Sequence, residues 1–178
     1  MDHHTLALDA AEELFYSRGV HAVGMDDIRD ASGVSLRRLY QLFPHKEKLV
    51  TAFLDRRDGV WRARMAEHVD RHTDPDLRVL AVFDWLHTWF SEPGFRGCAW
   101  VNCFGELGST SPAVAQLARD HKAGFRRDLR ALVRAAGRPA SLADHLLLLA
   151  EGAITTSAIS GTPLPAKQAK AAARQLMV

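Results

Sequence analysis

In the stretch GVSLRRLYQLF, residues 33–43, two arginines stand inside an apolar stripe. Arg37 and Arg38 separate Leu36 from Leu39, and Tyr40 and Gln41 follow. A short helix packed through Leu39 and Phe43 turns Leu36, Arg37, Arg38, Gln41 and Leu42 toward its outer side. Arginine pairs both acceptors of guanine in the major groove, glutamine reads adenine, and leucine meets a thymine methyl. Tyr40, and Lys46 at the start of the next helix, suit phosphates. The same spacing also serves a plain solvated face, and periodicity alone does not separate the two.

Other reactive residues are scattered. His68 and His72 lie one helical turn apart, a spacing that can bind a metal, but no third ligand stands with them. His3 and His4 read as a disordered end rather than a terminal metal site. Cys98 and Cys103 read as buried apolar thiols, with a redox or electrophile sensor as the rival reading. His121 lies on an apolar row, as a ligand anchor or a core histidine. The sequence has no glycine-rich phosphate loop, no nucleophile elbow and no carboxylates paired at catalytic spacing. The expectation is a protein that is not an enzyme and holds no cofactor and no metal.

The elements that must position these residues are helices. The chain has 178 residues, 47% apolar and 25% charged, near the averages for a globular protein with a core. Strand-like alternation and hairpin signals are absent. Apolar residues recur at helical spacing over 5–18, with Leu6, Ala10 and Leu14 on one row and Leu8, Ala11 and Phe15 beside it. Gly19 and Gly33 stop helices, Ser35 caps the third, and Pro44 breaks it. A long pattern follows from Lys46 to about His72. Asp74–Pro75 and Ser111–Pro112 open later helices, and Ser141 with Asp144 approaches a capping box. The reading is an all-α fold of about nine helices, with a gap near SEPGFRG. A three-helix helix-turn-helix head fills 1–46, its core drawn from Phe15, Ile28, Ala31, Val34, Leu39 and Phe43. A larger helical bundle fills 47–178.

Net charge is only +2, but its distribution is uneven. Residues 1–35 carry Arg18 and Arg29 against Asp2, Asp9, Glu12, Glu13, Asp26, Asp27 and Asp30; residues 36–50 carry Arg37, Arg38, Lys46 and Lys48 against Glu47 alone. The positive charge therefore sits on the third helix and just after it. No signal peptide and no apolar run near the ~18 residues of a membrane span are expected. Two cysteines are too few for a disulfide framework, so a cytoplasmic protein without membrane contact is the expectation.

The pieces AAEELFYSRG, MDDI, GVS, LYQLF and KEKL occur in order within residues 8–50. This span resembles the DNA-binding head of TetR-type (tetracycline-repressor-like) regulators and covers roughly a quarter of the chain. The resemblance implies a homodimer that binds a palindromic operator on double-stranded DNA and releases it when a small molecule enters the larger domain. It also implies phosphate contacts at Tyr40 and Lys46. Gly24 stands where many members carry Ser or Thr, Leu36-Arg37-Arg38 where many carry Lys-Gly-Thr or Lys-Gly-Ser, and His45 where a small capping residue is common. The DNA-contact set is thus Ser35, Leu36, Arg37, Arg38, Tyr40, Gln41 and Lys46.

In the body, residues 77–90 are apolar on nearly every side, which describes a buried helix. Trp61, Met65, Trp85, Trp89, Trp100, Cys103, Phe104 and His121 form the expected wall of a ligand pocket, or else an ordinary core. Residues 142–160 combine four consecutive leucines with small residues and read as a dimer seam packed with 112–136. Leu117, Phe125, Leu146, Leu149 and Ala153 are its expected interface. The basic run from Arg119 to Arg134 reads as a solvated face. The function expected is a ligand-responsive regulator, in the first place a repressor. The rivals are a small-molecule binding protein or enzyme with a vestigial head, and a nonspecific DNA binder.

Overall fold

The computed structural model describes residues 2–178. Among them are nine helices and no strands: α1 (His3–Arg18), α2 (Met25–Ser32), α3 (Leu36–Leu42), α4 (Lys46–Val69), α5 (Pro75–Phe90), α6 (Ala99–Leu107), α7 (Pro112–Ala135), α8 (Ser141–Ser160) and α9 (Leu164–Leu176). The fold is all-α, as the periodicity requires. Contacts divide the chain into two compact units. One comprises the chain up to Gly59 with Ala99–Asp120; the other comprises Val60–Cys98 with His121–Val178. These divisions fall inside α4 and α7, not at residue 46.

In the first unit, each head helix has a local reason to start and stop. Asp2 Oδ1 accepts the Thr5 N–H at 2.8 Å, so α1 begins at His3. His3 and His4 are therefore helical rather than a disordered end, and the His4 ring stacks on Phe43 at 5.2 Å. Gly19, at φ 85°, ends α1 and donates its N–H to Phe15 O. Gly24 offers α2 no side-chain cap, but Asp27 Oδ2 accepts the Gly24 N–H at 2.7 Å. That bond holds the Asp27 carboxyl below its usual pKa. Gly33, at φ 69°, closes α2 in the left-handed region that favours glycine. Ser35 Oγ then accepts the Arg38 N–H at 3.3 Å and opens α3.

Ala7, Leu8, Ala11, Phe15, Ile28, Val34, Leu39 and Phe43 are buried between these helices. Ala31 is not among them; it is exposed at the α2 terminus. Seven residues are too few for a helix stable on its own, so α3 exists because Leu39 and Phe43 are held by α1 and α2.

In the second unit, Asp74 Oδ1 accepts the N–H groups of Asp76 and Leu77, and Pro75 occupies the first turn of α5. Nine residues of α5 are buried, from Val79 to Phe90. It packs against α8 and α9. Those two also pack on each other, and both bury small residues: Ala150, Ala153 and Ser157 on α8 and Ala166, Ala169 and Ala173 on α9. Ser141 is the first residue of α8 rather than its cap; Ala140 precedes it without a side-chain bond. The expectation that no segment reaches membrane-span character needs amending. Among the described helices, α8 alone is long and apolar enough, with a mean hydropathy of 1.2 over 18 residues. A helix packed within a protein on its neighbours, as α8 is on α5 and α9, meets the same measure.

Leu39 is fully buried in the head. Leu39→Ala should lower stability by about 2–5 kcal/mol, measured by urea unfolding of the full chain. An unchanged midpoint would refute the dependence of α3 on this contact.

Candidate functional site

The outer side of α3 is open. Arg37, Arg38, Tyr40 and Gln41 are exposed, Tyr40 to 48%, while Leu36 and Leu42 are half-buried. Arg38 Nη1 donates to Gln41 Oε1 at 3.3 Å, which ties two expected base-reading side chains into one ledge. Arg37 has no hydrogen-bond or ion-pair partner among the described residues. Ser35 is exposed, with its hydroxyl engaged in capping.

Most of the head's acids are engaged by other arginines, not by those of the ledge. Arg18 pairs with Asp27 at 3.3 Å, and Arg29 with Asp26 at 2.5 Å and Asp30 at 2.8 Å. Arg56 meets Asp9 and Glu12 at 2.7 Å, and Arg57 meets Glu12 at 2.6 Å while lying over the Tyr16 ring. None of these carboxylates pairs with Arg37 or Arg38, which leaves both guanidinium charges on the outer side of α3 without a counter-ion.

Lys46 behaves differently from the expectation. Its Nζ donates to Val20 O at 2.5 Å and lies 6.0 Å from the Phe15 ring centre. Burial lowers its pKa, against the pull of Glu106 and Asp27. In this structure Lys46 braces the turn between α1 and α2.

That turn has a second brace which no local pattern announces. Glu106, on α6, accepts the Val20 N–H at 3.0 Å and the His21 N–H at 2.6 Å. The His21 ring stands 3.5 Å from the same carboxylate. Gly19 makes room for it: a Cβ there would lie 3.1 Å from Glu106 Oε1, and its φ of 85° is strained for other residues. Beside the turn lies a cleft of about 200 Å³ lined by Val20, Lys46, Glu47, Val50, Leu107 and Ser111. The Ser111 hydroxyl bonds Glu47 across it.

The eight expected pocket residues do not form one wall. In the second unit, Trp61 is packed edge-on by Trp85 at 4.7 Å, His121 and Phe125 at 5.1 Å, and Trp89 at 5.8 Å. Trp85 and Trp89 stack at 5.5 Å. These rings fill one another's space, so Trp61, Trp85, Trp89 and His121 form a packed core cluster. Met65 is buried beside a separate cleft of about 390 Å³ in the same unit. Its apolar lining includes Met65, Val69 and Leu132, and its polar lining comprises the ion pairs Arg62–Asp128 at 2.8 Å and Arg78–Asp70 at 2.5 Å. In the first unit, Trp100 and Cys103 are buried, whereas Phe104 is 49% exposed.

The expected dimer contacts also need correction. Phe125 on α7, packed against Trp61, and Leu146 on α8 are fully buried within the chain, and Ala153 on α8 nearly so. Leu117 and Leu149 are half-buried. The side of α8 left uncovered carries Leu148 (71% exposed), Gly152, Thr155 and Ile159 (84% exposed), and α9 exposes Leu164 and Leu176. At spacings of four, three and four these α8 residues make one stripe. No cluster of potential metal ligands occurs among the described residues.

Residues 7–53 match the family model for bacterial regulatory proteins of the tetR family. The whole chain superposes on SCO4454, a TetR-family transcriptional regulator from Streptomyces coelicolor, with a TM-score of 0.89 and 27% identity, covering 97% of this chain and 93% of that one. Residues 7–53 are thus a head of the tetR type, and the chain shares its all-α fold with TetR-family structures. The chain is also 53% identical over 84 residues to the HTH-type transcriptional activator FasR of Mycolicibacterium smegmatis, covering 44% of this chain and 38% of FasR. It is 45% identical over 117 residues to an uncharacterized HTH-type transcriptional regulator of Mycobacterium tuberculosis, covering 62% of this chain and 57% of that protein. The match therefore spans less than two thirds of these relatives.

Removing the Glu106 carboxylate leaves two N–H donors of the tetR-type head without their acceptor. In Glu106→Ala, amide exchange at Val20 and His21 should rise about tenfold, the equivalent of ~1.4 kcal/mol per lost bond. Exchange as slow as in the parent chain, measured by NMR, would refute the brace.

Proposed function

We propose that this protein is a sequence-reading transcriptional regulator that binds double-stranded DNA as a homodimer and responds to a small-molecule effector. The observation that carries the reading is the α3 ledge: Arg37 without a partner, Arg38 bonded to Gln41, and both arginines exposed on a helix locked from behind by Leu39 and Phe43. A fixed helix presenting guanidinium and amide groups suits base edges in a major groove. Two such heads read half-sites about 34 Å apart, which makes a palindrome the natural operator. Ser35, Leu36 and Tyr40 border the ledge and complete the contact set, and Lys46 acts on it through the turn it braces.

The uncovered stripe of α8, with Leu148 and Ile159, and the exposed Leu164 and Leu176 of α9 supply the dimer contact. The effector enters the cleft bordered by Met65, Val69 and Leu132, where an apolar floor meets two ion pairs. Gly124 matters there, since a Cβ at that position would collide with the Arg62 guanidinium. An effector alters DNA occupancy only by binding one state of the protein better than the other. Repression follows where the occupied operator overlaps a promoter. FasR, to which 84 residues of this chain are 53% identical, is named an activator, so the likeness alone does not set the sign.

Selection from a random DNA pool at near-physiological salt should enrich a palindrome. Arg37→Ala with Arg38→Ala should weaken binding to it by at least roughly tenfold, given ~1–3 kcal/mol for each good base contact. Recovery without enrichment, together with a steep salt dependence, would overturn the reading in favour of a nonspecific binder. Leu148→Asp with Ile159→Asp should give a monomer in sedimentation with unchanged helix content. A persisting dimer would exclude this stripe as the seam.

A further inference from the structure

Three reactive side chains of the second unit meet outside the effector cleft. Lys122 Nζ, on α7, lies 3.2 Å from Cys98 Sγ and donates to Glu151 Oε2, on α8, at 2.6 Å. Both cysteines are free thiols. The second carboxylate oxygen, Glu151 Oε1, is buried and has no hydrogen-bond partner. Cys98 is 4% exposed, but Lys122 and Glu151 reach solvent, and a cleft of about 410 Å³ bordered by Lys122, Ala123, Arg126, Arg127 and Leu147 opens beside them. Burial disfavours the Lys122 ammonium, yet the facing Cys98 sulfur and Glu151 carboxylate raise its pKa above the usual lysine value. The pair is thus arranged as ammonium against sulfur.

We infer that Cys98, Lys122 and Glu151 form a covalent oxidation site that takes a small two-electron oxidant of the peroxide class and closes a reversible sulfur–nitrogen link between Cys98 and Lys122. A thiol reacts with peroxides through its thiolate, and Lys122 Nζ stands 3.2 Å from the Cys98 sulfur, within reach of the site of attack. The thiolate attacks one peroxide oxygen, the O–O bond breaks, and the departing hydroxide takes up the thiol proton as water. Cys98 is now a sulfenic acid, and sulfur has given up two electrons. Lys122 passes one proton to the open oxygen of Glu151 and attacks the sulfur through Nζ. The S–O bond breaks, and hydroxide leaves with a second N–H proton as water. The balance is one thiol, one ammonium, one carboxylate and one hydrogen peroxide giving one S–N bond, one carboxylic acid and two waters. The arrangement discriminates by size, because the sulfur is buried and only its polar neighbours reach solvent.

The test uses the full-length protein, freed of reductant and treated with hydrogen peroxide, read by peptide mass spectrometry. The expected product lacks two hydrogens, links the peptides containing Cys98 and Lys122, and returns to the starting mass with dithiothreitol. Lys122→Arg should give no link and leave a sulfenic acid at Cys98 that dimedone captures. Glu151→Gln should slow closure on the order of 10²-fold without slowing sulfenic acid formation. Cys103→Ser should leave the link intact. Circular dichroism of each variant establishes that it is folded. The inference fails if the two-hydrogen loss is a Cys98–Cys103 disulfide, if Cys103 oxidises while Cys98 stays a thiol, or if Lys122→Arg gives the same product. None of these readouts depends on DNA binding.

Discussion

The burial of Leu39 and Phe43 is the contact on which the candidate interface rests. A seven-residue helix cannot offset the cost of nucleation with its own hydrogen bonds. Its shape is therefore imposed from one side, by Phe15, Ile28 and Val34. That leaves the other side free of any packing duty. Arginine, tyrosine and glutamine can occupy it without disturbing the fold, because none of them contributes to the core. The ledge is rigid and its chemistry is variable, two properties that one side of a self-supporting helix could not combine.

Charge follows the same division. The head has more acids than bases over its first 35 residues, which reads as an unpromising surface for a polyanion. The structure resolves this by pairing. Arg18 and Arg29 engage Asp26, Asp27 and Asp30, and Arg56 and Arg57 engage Asp9 and Glu12. Exposed pairs of this kind add little stability. Their larger effect is to give most of the head's carboxylates partners of their own, none of them Arg37 or Arg38.

The helices were largely legible because the chain marks their ends: Gly19, Gly33, Asp74–Pro75 and Ser111–Pro112 fall at the observed termini. What failed to read correctly was phase and distance. Leu146, Leu147, Leu148 and Leu149 point to all sides of α8, so composition gives a sticky helix without saying which leucine faces outward; Leu148 does, and Leu146 is core. The tryptophans read as a pocket wall because bulky rings suit both walls and cores. Only their mutual distances show that Trp61 is already surrounded by protein rings. Glu106 carries no local signal at all, since its partners lie 86 and 85 residues earlier. Lys122 looked like one more member of a solvated basic run until its distance to Cys98 was known.

Glu106 also has a consequence for the order in which the protein is made. The three head helices and their turn leave the ribosome before α6, and the carboxylate that accepts the Val20 and His21 amides is synthesised 86 and 85 residues after them. Domains generally fold as they emerge, but this turn lacks an acceptor for two of its donors until α6 arrives. The nascent head thus completes its hydrogen bonding late, when the chain that follows it is already long. Premature termination before α6 would release a head with an unfinished turn.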